Sequence, residues 1–198
     1  ILEHLGSDNE EAELAKKGMI LWGKMSSELS DAAMGFTTGS GSNFQRAYHT
    51  TRWSSFGGNN VPLLMAYGES HDEERLFFRN RRFGNQAGIN TPPSFQDPRS
   101  VVDAAYRMQQ MAAFLFTIPG PKMIWQFGEL GYDYSINSNG GRVDPKPVRW
   151  DYFQEIRRRR LYEVYAAMAK LRQQKLATFR TPTLANGTNL GSSTVKTI

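Results

Sequence analysis

Short apolar runs that alternate with amphipathic helical patterns constrain this chain more than any other feature. Met19–Trp22, Val61–Tyr67 and Met123–Phe127 are nearly continuous apolar segments, the pattern of strands buried on both faces. Between them lie helical signals. Ser7-Asp8-Asn9-Glu10 reads as a capping box, so a helix is predicted through Glu11–Lys17, stopped by Gly18. Asn43–Arg52 reads as helical. Ser100 caps a helix whose apolar positions Val102, Tyr106, Met108, Met111, Leu115 and Ile118 follow helical spacing up to Pro119-Gly120-Pro121. A last helix is predicted over Gln154–Gln173. Strands that alternate with helices imply an α/β fold of parallel βαβ units. Four such units make half of an eight-stranded barrel, whose complete form needs about 250 residues, against 198 here. No G-x-G-x-x-G turn follows any strand, which argues against a doubly wound nucleotide-binding sheet. The two long connections, Glu73–Arg99 and Gly128–Tyr152, both come after strands, on the side where barrel enzymes carry their sites.

Composition removes several classes. Apolar residues make up 39% of the chain and aromatics 12%, enough to bury a core, so wholesale disorder is excluded. No apolar run approaches the length of a membrane-spanning helix. The absence of Cys excludes disulfides, Cys-ligated metals and a thiol nucleophile, and three His are too few for a His-rich metal cage. A net charge of +5 hints at an acidic partner. Its only dense basic run, Arg157–Arg160, reads as a solvated helix face, and Arg79, Arg81 and Arg82 read as a loop rim, so nucleic acid is not expected as a partner.

The chain opens without Met on Ile1-Leu2-Glu3, which reads as the tail of a strand already under way. It closes on a Gly/Ser/Thr-rich stretch from Asn186, with a β segment expected at Ser193–Ile198. The expectation is a piece of a longer protein.

Three strand ends carry groups capable of chemistry. Glu3 follows the first strand, with His4 beside it; a solvated loop acid is the plain alternative. Glu69-Ser70-His71-Asp72-Glu73-Glu74-Arg75 places four acids, a His and an Arg at the mouth of Val61–Tyr67. Like charges so close perturb one another and need partners; a salt-bridged turn is the alternative. Trp125–Tyr134 combines aromatics, an amide and acids that suit a sugar platform, with ordinary strand-end packing as the alternative. Carboxylates on neighbouring strand ends suit glycoside cleavage, in which one acid protonates the leaving oxygen and others stabilise an oxocarbenium-like centre. They equally suit magnesium or manganese.

These residues resemble those of the α-amylase family, glycoside hydrolase family 13. Ser70-His71-Asp72 is similar to the family's Asn-His-Asp region. Pro119-Gly120-Pro121-Lys122-Met123-Ile124-Trp125-Gln126-Phe127-Gly128-Glu129-Leu130-Gly131 is similar to its eighth-strand pattern P-G-x-P-x-I-Y-Y-G-x-E-x-G. Arg142–Trp150 resembles the loop that follows, and Ile1-Leu2-Glu3 then falls at the end of the fifth strand. Ser70 stands in place of Asn, Lys122 of Pro and Phe127 of Gly.

The resemblance, which runs from Ile1 to about Leu171, implies the second half, fifth to eighth βα units, of a (β/α)8 TIM barrel over residues 1–174. Residues 175–198 would begin a C-terminal β-domain. It implies Glu3 as the general acid/base, Asp72 as the carboxylate that binds hydroxyls and stabilises the transition state, and His71 as a donor beside it. His4, Trp22, Tyr67 and Trp125 are candidate subsite residues. The nucleophile would lie on the preceding strand, so the parent protein would cleave α-1,4-glucans such as starch or glycogen while this chain alone would be silent. No cofactor is identifiable from the residues; calcium enters only through the resemblance, and no membrane partner is expected. A glucan branching or transferring enzyme shares the Ser-His-Asp-Glu pattern, and a non-catalytic glucan-binding barrel is the rival outside enzymes. The compartment would be extracellular or periplasmic for an amylase and cytoplasmic for a branching enzyme.

Overall fold

A computed structural model describes residues 1–37, 41–48, 54–56, 59–86, 99–180 and 190–191. Helix α1 spans Asp8–Lys16; the Ser7 hydroxyl accepts the Glu10 N–H, with Asp8, Glu10 and Glu11 in the first turn, where negative charge complements the helix dipole. Strand β1 is Leu21–Lys24, two residues later at each end than the apolar run predicts. Helix α2, Ser26–Met34, ends at Gly35 in the left-handed conformation, φ +86°. A short 3-10 turn at Gln45–Tyr48 stands where a helix over Asn43–Arg52 is expected; residues 49–52 lie outside the described ones. Strands β2 (Ser54–Phe56) and β3 (Asn59–Val61) pair antiparallel. Strand β4 is Leu64–Tyr67 and helix α3 is Leu76–Phe83. Helix α4, Val101–Thr117, is capped by Ser100 as predicted. Strand β5 is confined to Lys122–Met123. Helix α5 runs Ile156–Gln174 and α6 Leu176–Arg180. Helical residues therefore occupy the start of the segment expected to open a β-domain, and its expected strand at Ser193–Ile198 lies outside the described residues.

β1, β4 and β5 form one parallel sheet in chain order. Leu2 adds a fourth position beside β1: its N–H donates to the Ile20 carbonyl at 2.7 Å and its carbonyl accepts the Trp22 N–H at 3.0 Å. All four segments thus present their carboxyl ends to one rim. One face of this sheet packs against helices. Ala66 joins Leu29, Ala33, Phe77, Met108, Leu115 and Leu161 in a cluster contributed by α2 to α5, while Leu21 and Leu64 pack with Ala15 of α1. Side chains alternate along strands, so Trp22, Met65 and Tyr67 belong to the opposite face. The turn before β5 is tight. Gly120 holds φ +86°, and a Cβ there would come within 2.5 Å of the Leu64 carbonyl. Arg172 of α5 ties down the same turn, donating to the carbonyls of Phe116 (2.6 Å), Ile118 (3.0 Å) and Gly120 (2.5 Å).

After β5 the backbone leaves the strand sooner than the run Met123–Phe127 predicts. Phe127 takes φ +58° and opens a 3-10 turn at Gly128–Leu130. Its ring packs with Leu130, Tyr132 and Tyr152, which places a third apolar cluster in the loop itself.

Candidate active site

Glu3 leaves the Leu2 position just beyond its pairing with β1, and His71 and Asp72 sit in the turn that ends β4. The Leu2 segment and β4 flank β1, and their ends meet across it. His71 Nε2 lies 3.6 Å from Glu3 Oε1 and 3.5 Å from Asp72 Oδ1, and one donor atom from each of the three residues falls within 4.8 Å of the others. All three side chains are close to half-exposed. The turn is built by its own residues. The Ser70 hydroxyl accepts the Asp72 N–H at 3.1 Å and donates to Glu73. The Arg75 guanidinium donates to the Ser70 carbonyl at 2.5 Å. Glu73 also pairs with Lys24 of β1 at 3.0 Å, joining the two strand ends by an ion pair.

Aromatic rings frame the trio. Trp22 meets Tyr67 edge-on with ring centroids 5.2 Å apart, and the His71 ring lies 6.0 Å from both Trp22 and Trp125. Trp22 and Trp125 are partly exposed. Tyr67 is 1% exposed, so it supports the site from beneath; burial, with Glu73, Glu3 and Asp72 nearby, raises its phenol above the ordinary range. His4 does not join this group. Its Nε2 faces Glu10 of α1 at 3.3 Å.

The sequence reading missed Arg142. Its guanidinium, carried on the loop after β5, bonds Asp72 Oδ1, and between them opens a cavity of about 360 Å³ bordered by His71, Asp72, Trp125, Arg142 and Lys146. Arg142 stands 70 residues from Asp72; the family resemblance marks the Arg142–Trp150 segment, but the pairing with Asp72 is revealed by the fold. It also missed the role of Glu69. This carboxylate is buried, accepts the Leu76 N–H at 2.8 Å at the start of α3, and is pushed up to about 7 by burial. Of the basic run expected as a solvated face, Arg158 is the exception: it is buried and donates to Asp133 at 2.8 Å.

Two carboxylates and an imidazole within 4.8 Å can deliver a proton to a leaving oxygen and hold a developing positive centre. The same trio is a donor set for a divalent cation in principle. It does not fit calcium, which takes six to eight oxygens; here one of the three donors is nitrogen.

No protein-family model and no curated protein sequence matches the chain. Among the described residues no helix is long and apolar enough to cross a membrane.

Proposed function

We propose that this chain is the second half of an α-amylase-type barrel and carries part of the machinery of a retaining hydrolase acting on α-1,4-glucans. The observation that carries the reading is the meeting of Glu3, His71 and Asp72 at the ends of two parallel segments that flank β1, framed by Trp22 and Trp125. Two further facts support it. The strand order follows the chain, as successive units of a barrel would. Phe127, at the position where the family pattern has Gly, holds the positive φ that Gly favours.

In this reading Glu3 protonates the glycosidic oxygen and later takes a proton from water. Asp72 accepts sugar hydroxyls and offsets positive charge at the anomeric carbon. His71, lying between the two carboxylates, donates to a hydroxyl of the same sugar. The tryptophans offer faces to the sugar rings. The nucleophilic carboxylate belongs to a strand upstream of Ile1.

The test is reducing-end release from amylose by the protein extended upstream through its preceding four strands, beside its Glu3→Gln variant and beside this chain alone. Turnover by the long protein, collapse in the variant and silence of the short chain are expected. A folded long protein that releases no reducing ends would sink hydrolysis. Chain-length analysis of the same products then separates branching, which redistributes chains without new reducing ends, from plain binding.

A further inference from the structure

We infer that the helix-packed side of β5 holds a second site, which seats the head of a small organic ammonium ion against Glu69 and Glu129 and its apolar body in the groove between β5 and α5. The inference stands apart from the glucan reading. Glu69 is 5% exposed. Its Oε1 accepts the Leu76 N–H at 2.8 Å, whereas its Oε2 has no hydrogen-bond partner among the described residues. A buried carboxylate oxygen without a partner is costly. The charged groups that act on Glu69 are Arg75, Glu74 and Glu129, one base against two further acids. The Arg75 guanidinium donates instead to the carbonyls of Ser70 at 2.5 Å and Glu73 at 3.4 Å. Negative charge is in excess around Oε2, and the ligand that complements it is a cation with hydrogens to donate.

Glu69 borders a cavity of about 20 Å³ together with Leu115, Gly128 and Tyr165, space for a single water-sized group. Oε2 faces the Gly128 side of it: a Cβ on Gly128 would stand 3.0 Å from that oxygen. Leu115 and Tyr165 belong to the cluster between sheet and helices, which fixes the side of the sheet. Ile124, Trp125 and Tyr165 border both this cavity and a groove of about 670 Å³, so the two adjoin. The groove is lined by the Glu129 side chain and by Phe127, Trp150, Tyr162 and Ala169. Its volume is that of a small-molecule site, and its aromatic faces attract an organic cation. Ile124, Trp150 and Tyr162 are exposed there, apolar surface that a hydrocarbon body would cover. Trp125 and Gln126 stand between this groove and the cavity beside Asp72. The ligand class is a primary ammonium that carries one apolar or aromatic group.

Calorimetry of the chain with phenethylammonium chloride in low-salt buffer tests this. Phenethyl alcohol, which lacks the charge, and ammonium chloride, which lacks the body, run beside it. Phenethylammonium is expected to bind about tenfold or more tightly than either. Glu69→Gln keeps an oxygen for the Leu76 N–H, and Gly128→Ala crowds Oε2 without changing any charge. Each variant should bind phenethylammonium about tenfold more weakly and phenethyl alcohol as the wild type does; thermal unfolding verifies that both fold. Equal affinity for the alcohol and the ammonium, or full affinity in both variants, overturns the carboxylate seat. Ammonium chloride binding as tightly as phenethylammonium overturns the part given to the groove. A wild-type chain that binds no phenethylammonium overturns the site as a whole.

Discussion

The His71 imidazole reaches within 3.6 Å of the Glu3 carboxylate, although the two residues arrive from strand ends separated by β1. That contact predicts the outcome of His71→Ala. Removing a hydrogen-bonding group from between two carboxylates leaves them facing each other, so maltoheptaose binding should weaken by about tenfold or more. His4→Ala, which touches Glu10 instead, should leave binding unchanged. Calorimetry on both variants decides it, and equal losses from the two would remove His71 from the site.

Phe127 sets two effects against each other. Its φ of +58° costs roughly 1–2 kcal/mol for a residue with a side chain, and Phe127→Gly would relieve that. The ring, however, stacks 5.7 Å from Tyr132, meets Trp150 edge-on at 4.9 Å and is 7% exposed; deleting a buried Phe ring costs about 3–5 kcal/mol. Packing wins, and Phe127→Gly is expected to lower stability by about 2 kcal/mol in urea unfolding. A stabilised variant would show that the aromatic cluster contributes little.

Arg158 holds the loop after β5 from below. It bonds the carbonyls of Leu130 and Gly131 and the Asp133 carboxylate, and lies 3.9 Å over the Tyr152 ring. Burial pushes the Asp133 carboxyl up, but the Tyr152 hydroxyl, Arg158 and Arg81 outweigh it and hold the group below its ordinary value. Arg158→Met should therefore cost about 3 kcal/mol or more, as breaking a buried pair does. Arg81→Gln, at a 40% exposed partner, should cost about 1 kcal/mol at most. Denaturant midpoints of the two variants compare them directly, and a similar small loss from both would mean that the pair is not buried in solution.

Glu69 makes stability depend on pH. Its carboxyl titrates near 4.5 when solvated and near 7 in the fold, so between those values the folded state holds a proton that the unfolded chain has lost. Stability is then full below about pH 4.5 and falls as pH rises to about 7, by roughly 3 kcal/mol. The groups facing it are Arg75, Glu74 and Glu129, the Leu76 N–H and the Tyr165 phenol. Glu69→Gln keeps an oxygen for Leu76 and should flatten that slope, making the variant the more stable chain at about pH 8. Parallel pH dependences of the variant and the wild type would show that Glu69 does not titrate in this window.

Strongly patterned elements were legible in the sequence. Ser7 and Ser100 cap α1 and α4, and the Pro-Gly-Pro turn ends α4, because caps and turns act through local chemistry. Helix α2 was not legible. Its buried face includes Ser26, Ser30 and Ala33, residues too small and polar to mark a stripe. Helix α3 hid among arginines, and its first N–H, that of Leu76, finds a partner in Glu69, seven positions upstream, where no local signal points. In the site, His71 and Asp72 stood out because four acids crowded at the mouth of an apolar strand are costly to place, whereas Glu3 read as a solvated loop acid until the family resemblance gave it a role. Arg142 did not, since an Arg in a polar loop is ordinary until the fold brings it to Asp72.

The parallel sheet has two rims with different duties. Before β5, the Gly120 turn and Arg172 fix where the strand begins. Beyond the strands, the turn at Ser70 and the loop at Arg142 carry the polar groups on scaffolds of their own, closed by Ser70, Glu74 and Lys146. Such a division makes the chain tolerant in one direction only: substitutions on the second rim change its polar groups without shifting strand register, whereas a single methyl group at Gly120 would press on the Leu64 carbonyl of β4.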